Sequence, residues 1–160
     1  RTGLQNLFLE QVLCFGNVNR HPSGRVVSVA YYTLVNINHI NLAVQDHELH
    51  WHSIHQVGNM AFDHNEILNT CLIRLQERIK AEPIGFNLLP EKFSMRSLQL
   101  LYESVLMVDL DRRNFRKKVM GTGLLIDMKE LESDVPHRPA KLFKFNSEKY
   151  RQQDIKGNFV

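Results

Sequence analysis

Two cysteines in 160 residues are too few to staple a small secreted scaffold. Neither Cys14 nor Cys71 has a CxxC partner, which removes the usual cysteine zinc sites as well. Both fall within apolar patterns and are expected as buried, reduced thiols, which points to the cytoplasm. Long apolar runs are also missing, so the sequence offers no membrane span and no membrane partner. The opening "RTGLQNLFLEQ" has no basic-then-apolar lead and therefore does not read as a signal peptide. It has no initiator Met either, and reads as a fragment or a processed product. No internal repeat or low-complexity stretch interrupts the chain.

A large excess of charge is absent too. The formal net charge is +3, and it is unevenly placed. Residues 1–80 hold six Lys+Arg and six Asp+Glu, whereas residues 81–160 hold fourteen and eleven. Residues 111–118 alone carry five cations and one Asp. A small global charge with a sharp local one suggests one surface facing a polyanion.

What is present alternates between strand and helix patterns. "LFLEQVLCF" (7–15) and "RVVSVAYYTLVN" (25–36) read as strands around a turn-rich loop, and "LHWHSIHQV" (49–57) as a third. Asp63 and Glu66 form a capping box before a helix over about 64–81, whose apolar face is Ile67, Leu68, Cys71, Leu72, Leu75 and Ile79. Two Pro and a Gly in 82–93 end that periodicity, so a linker is expected there. Ser94 then caps a helix that buries Leu98, Leu101, Tyr102 and Val105, with Phe93 and Leu98 as a hydrophobic staple. Asp111 caps a second helix, stapled by Leu110 and Phe115 and stopped at Gly121. "LLIDM" (124–128) and "AKLFKF" (140–145) read as strands around a polar tip. Helix, turn, helix and hairpin is the order of a winged helix-turn-helix.

The second helix carries the chemistry. Phe115, Val119 and Met120 should dock it, leaving Arg112, Arg113, Arg116 and Lys117 projecting away. Arg112 and Arg113 sit in the first turn, where cations oppose the helix dipole. A purely structural helix more often places acids there. A recognition helix needs cations there, because its N-terminal part enters the major groove. Arg112, Arg113, Asn114 and Arg116 are expected to read bases or grip the groove, and Lys117 and Lys118 to hold phosphates. His137, Arg138 and Lys141 on the wing add a second cationic patch, and Ser94, Arg96 and Ser97 at the preceding helix start could add phosphate contacts. The competing reading is a solvated cationic face. The order of caps, turn and hairpin favours DNA.

Two other stretches invite function. "HELHWHSIH" places His47, His50, His52 and His55 within nine residues, but in a strand His50 and His52 share a face while His55 faces away. An exposed, alternating strand is preferred to a metal site, and no metal is expected. In "FGNVNRHPSGRV", Arg20 and Arg25 flank a tight Pro-Ser-Gly turn. The loop could hold an anionic or polyhydroxyl ligand, or be a hairpin connection with solvent-facing arginines.

"LEQVLCFGNVNRHPSGRVVSVAYYTLV" resembles the second half of a Nudix domain of the ADP-ribose-pyrophosphatase type. "MAFDHNEIL", "EPIGFNLLP", "LDRRNFRKKV" and "PHRPAKLFKFN" resemble the rest of the Nudix-related transcriptional regulators, so the likeness covers nearly the whole chain. The resemblance implies an α+β chain: a partial Nudix-like α/β/α sandwich (1–81), a linker (82–93), a winged helix (94–150) and a tail (151–160). It implies a homodimeric regulator on a double-stranded, palindromic DNA operator. The effector would be a pentose such as L-arabinose, or an ADP-ribose-like metabolite as in relatives that repress NAD-biosynthesis genes. By the same resemblance Phe62, Asp63 and His64 join Arg20 and Arg25 as ligand-site candidates. A Nudix hydrolase needs the box GX5EX7REUXEEXGU, whose glutamates bind Mg²⁺. Here only "TGL" (2–4) matches its tail, and the rest would precede Arg1. No catalytic residue and no cofactor are therefore expected in this chain. The alternatives are a Nudix hydrolase acting on a nucleoside-diphosphate-linked substrate, and a winged helix that binds protein.

Overall fold

The computed structural model describes residues 9–36, 50–133, 135, 136 and 138–152. The chain divides into two compact units, residues 1–74 and 75–160. No helix among the described residues is long and apolar enough to cross a membrane.

The first unit contains an antiparallel ribbon of β1 (Glu10–Phe15) and β2 (Ser28–Tyr32). Gln11 pairs with Tyr31 but Leu13 pairs with Ala30, so Val12 is an extra residue on β1. Such a bulge breaks the two-residue alternation of a strand. Phe15 is buried, while Leu13 and Cys14 are exposed. The expectation of a buried Cys14 fails for this reason, and Cys71 is only partly covered. Both expected strands are also shorter than their apolar runs.

The third expected strand does not form among the described residues. His50, Trp51, His52 and Ser53 are all exposed, and Ile54–Gln56 is a 3₁₀ turn. Period-two alternation specifies a strand only where one face is buried, and neither is here. Helix α1 (His64–Ala81) follows, and its six expected apolar positions are all at least partly buried.

The second unit is a winged helix. Strand β3 (Phe93–Ser94) leads into α2 (Met95–Leu106), then α3 (Arg112–Gly121), β4 (Leu125–Leu131), β5 (Lys141–Phe145) and the short α4 (Ser147–Gln152). The sheet is antiparallel in the order β3-β5-β4. Between Asp127 and Leu131 the register shifts, and Lys129 takes a left-handed backbone at φ 56° inside that bulge.

The core is one cluster. Leu98 and Tyr102 of α2, Phe115 and Val119 of α3, Leu124, and Phe143 of β5 are each at most 3% exposed. Tyr102 and Phe115 lie at a centroid distance of 5.6 Å and 59°, an edge-tilted geometry that aromatic pairs favour. Met120, expected beside them, is 42% exposed, because it lies a third of a turn from the Phe115–Val119 stripe.

Residues 82–93, read from sequence as a linker, are packed into this core. Ile84–Leu88 is a 3₁₀ turn whose Phe86 stacks on Phe145 at 4.3 Å and meets Phe93 at 5.4 Å. Gly85 permits the approach, since an added Cβ would stand 3.3 Å from Ile79, Leu101 and Tyr102 side chains. The two prolines and the glycine end helical periodicity without ending burial. Outside the core, Lys92 pairs with Glu130 at 2.7 Å and Lys144 with Glu91 at 2.5 Å.

Truncating Phe115 to Ala should cost about 3–5 kcal/mol of unfolding free energy, the usual toll of a buried aromatic. Met120→Ala, at an exposed neighbour, should stay within about 1 kcal/mol. Urea denaturation of both variants checks the stripe; equal losses would place Met120 in the core.

Candidate nucleic-acid interface

Each end of the helix-turn-helix is fixed by a local device. The Ser94 hydroxyl accepts from Ser97 N–H at 3.2 Å and shares a hydrogen bond with the Ser97 hydroxyl at 2.9 Å. Ser94 is only 2% exposed. It is therefore a cap and a strand residue, and it does not stand on a surface that DNA could touch, contrary to expectation. Ser97 is partly buried with its hydroxyl engaged by Ser94. Asp111 caps α3, accepting from Asn114 N–H at 2.8 Å. That carboxylate also offsets some of the dipole cost of Arg112 and Arg113 beside it.

The turn between the helices is held by α2. Gln99 Nε2 donates to Leu110 O at 2.8 Å and to Glu103 Oε1 at 2.8 Å, and Leu110 N–H donates to the same Glu103 oxygen at 3.0 Å. Both main-chain groups of the residue before the α3 cap are thus satisfied by side chains. The Leu110 N–H, and then the Gln99 amide, hold the Glu103 carboxyl below the usual glutamate range.

Phe115 and Val119 anchor α3, and the five cations stay exposed around it. They do not share one environment. Arg112 and Arg116 line a cleft of about 580 Å³ together with Arg96 at the start of α2 and Arg138 and Lys141 of the wing. The floor is apolar, formed by Met95 and Phe143 among others, and no described carboxylate lines it. Lys141 reaches Asp127 at 3.5 Å at the edge of the wing. Arg113, Asn114, Lys117 and Lys118 are exposed but do not line the cleft. His137, also expected at the interface, lies outside the described residues. Sequence reasoning missed Gln99, which lines the cleft and holds the turn. Its position four residues before Glu103 was the available signal, because residues so spaced share a helix face.

The first unit brings together four of the five expected ligand residues. Arg20, Phe62, Asp63 and His64 line one depression of about 260 Å³ with Ser28 and His21. Arg25 is exposed and stands apart from it. Asp63 does not close the expected capping box with its side chain. Its carboxylate takes Arg20 in a fork, Nε to Oδ2 at 2.6 Å and Nη2 to Oδ1 at 3.0 Å. Arg20 Nη1 donates to Ser28 Oγ at 2.7 Å. The Arg20 hydrogen bond is the main cause that lowers the Asp63 pKa, and its partner bond raises that of Arg20. Phe62 is 58% exposed in a left-handed backbone at φ 54°, with His21 and His64 rings at 4.8 and 6.1 Å. Of the histidine run, His47 lies outside the described residues, and His50, His52 and His55 are exposed.

The pH dependence of the turn follows from Glu103. A carboxyl lowered on folding stabilises above its unfolded pKa, and that stability is lost as pH falls through the folded value. The melting-temperature advantage of the wild type over Glu103→Ala should therefore be constant at neutral pH and vanish in acid. Thermal melts of both proteins from pH 7 downward test it; a gap that persists in acid would separate Glu103 from the turn.

Comparisons with known proteins agree with this arrangement. Residues 85–145 match the NrtR DNA-binding winged helix domain. The chain is 29% identical over 153 residues to the ADPR responsive transcriptional repressor NtrR of Acinetobacter baylyi, covering 94% of this chain and 61% of that protein. The structure of Shewanella oneidensis NrtR complexed with a 27mer DNA matches at a TM-score of 0.61 and 24% identity, over 86% of this chain and 64% of that one. A MutT/nudix family protein from Enterococcus faecalis matches at 0.58 and 26% identity, over 86% of this chain and 61% of that one. The chain thus spans about three fifths of the length of these relatives. The chain is thus similar to the Nudix-related transcriptional regulators, and residues 85–145 match their NrtR-type winged helix.

Proposed function

We propose that this chain serves a ligand-responsive, DNA-binding transcriptional regulator. The observation that carries the reading is the cleft between α2, α3 and the wing, where four Arg and one Lys converge and no described carboxylate forms part of the lining, Asp127 meeting Lys141 only at the wing's edge. Isolated cationic faces interleave acids. A cationic cleft framed by a recognition helix and a wing suits a double-stranded DNA backbone. Two relatives support it: one is named a transcriptional repressor, and another was solved with DNA.

Residues 94–150 would bind the operator, and residues 1–81 would sense the effector. The regulator would work in the cytoplasm as a homodimer on a palindromic site, since two-fold symmetric dimers read two-fold symmetric operators. The effector would be an ADP-ribose-like metabolite or a pentose sugar. The Acinetobacter relative is named for its response to ADPR. The depression at Arg20, Phe62, Asp63 and His64 is the candidate site, with aromatic and forked polar groups side by side. The hydrolase reading draws on the match to a MutT/nudix family protein. Against it stands the Acinetobacter relative, which is named a transcriptional repressor.

The test is binding to the promoter DNA of the protein's own and neighbouring genes, across a salt series. Selective binding is expected, with log K falling by about 0.9 per phosphate contact for each decade of salt. Equal, weak, salt-insensitive binding to every fragment would sink the regulator. ADP-ribose and pentoses are then titrated against the complex, beside an Arg20→Met variant. Arg20→Met should lose the effector response and keep DNA binding; an unchanged response would move the sensor site elsewhere.

A further inference from the structure

The cations of α3 divide by direction. Take the Phe115–Val119 stripe as pointing inward. At about 100° per residue, Arg112 and Arg116 lie roughly 40° and 80° to one side of it. Arg113 and Lys117 lie roughly 140° and 180° away, straight outward. Asn114 and Lys118 fall on the other flank, roughly 120° and 80° from the stripe. The side that carries Arg112 and Arg116 is the side of the wing, because both line the cleft with Arg138 and Lys141. Arg96 closes the same cleft from α2.

We propose that this cleft seats one backbone phosphate of the bound DNA, gripped by Arg112 and Arg116, and that Arg113 and Lys117 make the base contacts. The inference rests on the DNA-binding reading and deepens it. It reassigns two residues that the sequence alone placed among the base readers. The chemistry is one of counting donors. A base edge offers two acceptors to one bidentate Arg, whereas a phosphodiester accepts several donors at once from different directions. Cations converging from three elements, over an apolar floor, match the second case. A base reader must instead extend from the helix surface into the groove. Arg113 and Lys117 are exposed on the outward face of α3, whereas Arg112 and Arg116 line the cleft beside the wing. Gln99 holds the turn that sets this register, through Leu110.

The experiment uses the full chain and a duplex selected from random DNA by the wild type, beside a shuffled duplex of the same composition. Fluorescence anisotropy gives both dissociation constants. Arg112→Gln with Arg116→Gln should weaken both duplexes alike, roughly ten-fold or more, with their ratio unchanged and the salt slope shallower by about one to two. Arg113→Gln should instead shrink the ratio, roughly ten-fold. A neutral methylphosphonate walked along the selected duplex should hurt the wild type at one position per half-site. The Arg112/Arg116 variant should be indifferent at that position. Circular dichroism melts confirm folding, which exposed arginines should not disturb. A ratio that collapses in the Arg112/Arg116 variant, or methylphosphonate losses that simply add to the variant's at every position, overturns the division while leaving DNA binding standing. A wild type that selects no duplex overturns both.

Discussion

The winged helix depends on one small constraint, the grip of α2 on Leu110. Three hydrogen bonds from Gln99 and Glu103 satisfy one another and both main-chain groups of that residue. Leu110 precedes the α3 cap, so its position sets where α3 starts and at what rotation. Met107 ends α2 in a left-handed backbone at φ 56°, which turns the chain sharply enough to bring Leu110 back over α2. Rotation matters because α3 has so little apolar surface. Phe115 and Val119 are its only buried residues, and two anchors four residues apart resist sliding better than they resist rolling. The hydrogen-bonded turn supplies the resistance to rolling. A roll of one residue would bring a cation to the core, at a desolvation cost far beyond any hydrogen bond in the turn.

The same frame explains how a helix tolerates five cations. Arg112 and Arg113 lie where the dipole is positive, which disfavours them by a few tenths of a kcal/mol each. The Asp111 cap, worth about 1 kcal/mol, offsets that locally. The wing neutralises the cleft only at its edge: Asp127 accepts from Lys129 N–H at 2.8 Å and meets Lys141 at 3.5 Å, while Glu130 holds Lys92. No described carboxylate lines the cleft beside its four arginines, which leaves them open to the anion proposed above.

How much of this was legible in the sequence differs between the halves. In the second unit the local signals were strong and agreed with one another. Ser94 and Asp111 cap the helices expected of them, and the hairpin falls where the apolar runs lie. Burial there follows helical period, which a sequence displays directly. Two features were hidden. Proline and glycine in 82–93 signal the end of a helix but say nothing of packing, and Phe86 and Phe93 bury that segment. Ser94 reads equally well as a cap and as a phosphate contact until its burial is known. In the first unit the signals were weaker. One inserted residue, Val12, reverses which side of β1 is covered, and no composition rule announces a bulge.

The candidate sensor site shows the same limit more sharply. Asp63 and Glu66 have the spacing of a capping box, yet a charged partner from 43 residues away takes the Asp63 carboxylate. A charge-assisted fork outcompetes a neutral cap for the same oxygens, and nothing local in sequence encodes the approach of Arg20. The consequence is chemical. Arg20 is not a bare cation awaiting an anion; its fork and its Ser28 bond already use three N–H groups. An anionic ligand must displace Asp63 or be refused by it, whereas a hydroxyl-rich ligand can accept from the guanidinium and donate to the carboxylate without separating them. Beside this pair stands Phe62, exposed and held in a left-handed backbone that ordinary residues avoid. That conformation costs of order 1 kcal/mol or more, and it keeps an aromatic face next to a polar fork. For the effector proposed above, the ring would cover an apolar sugar face and the fork would meet its hydroxyls, whereas a phosphate would have to displace Asp63 from Arg20.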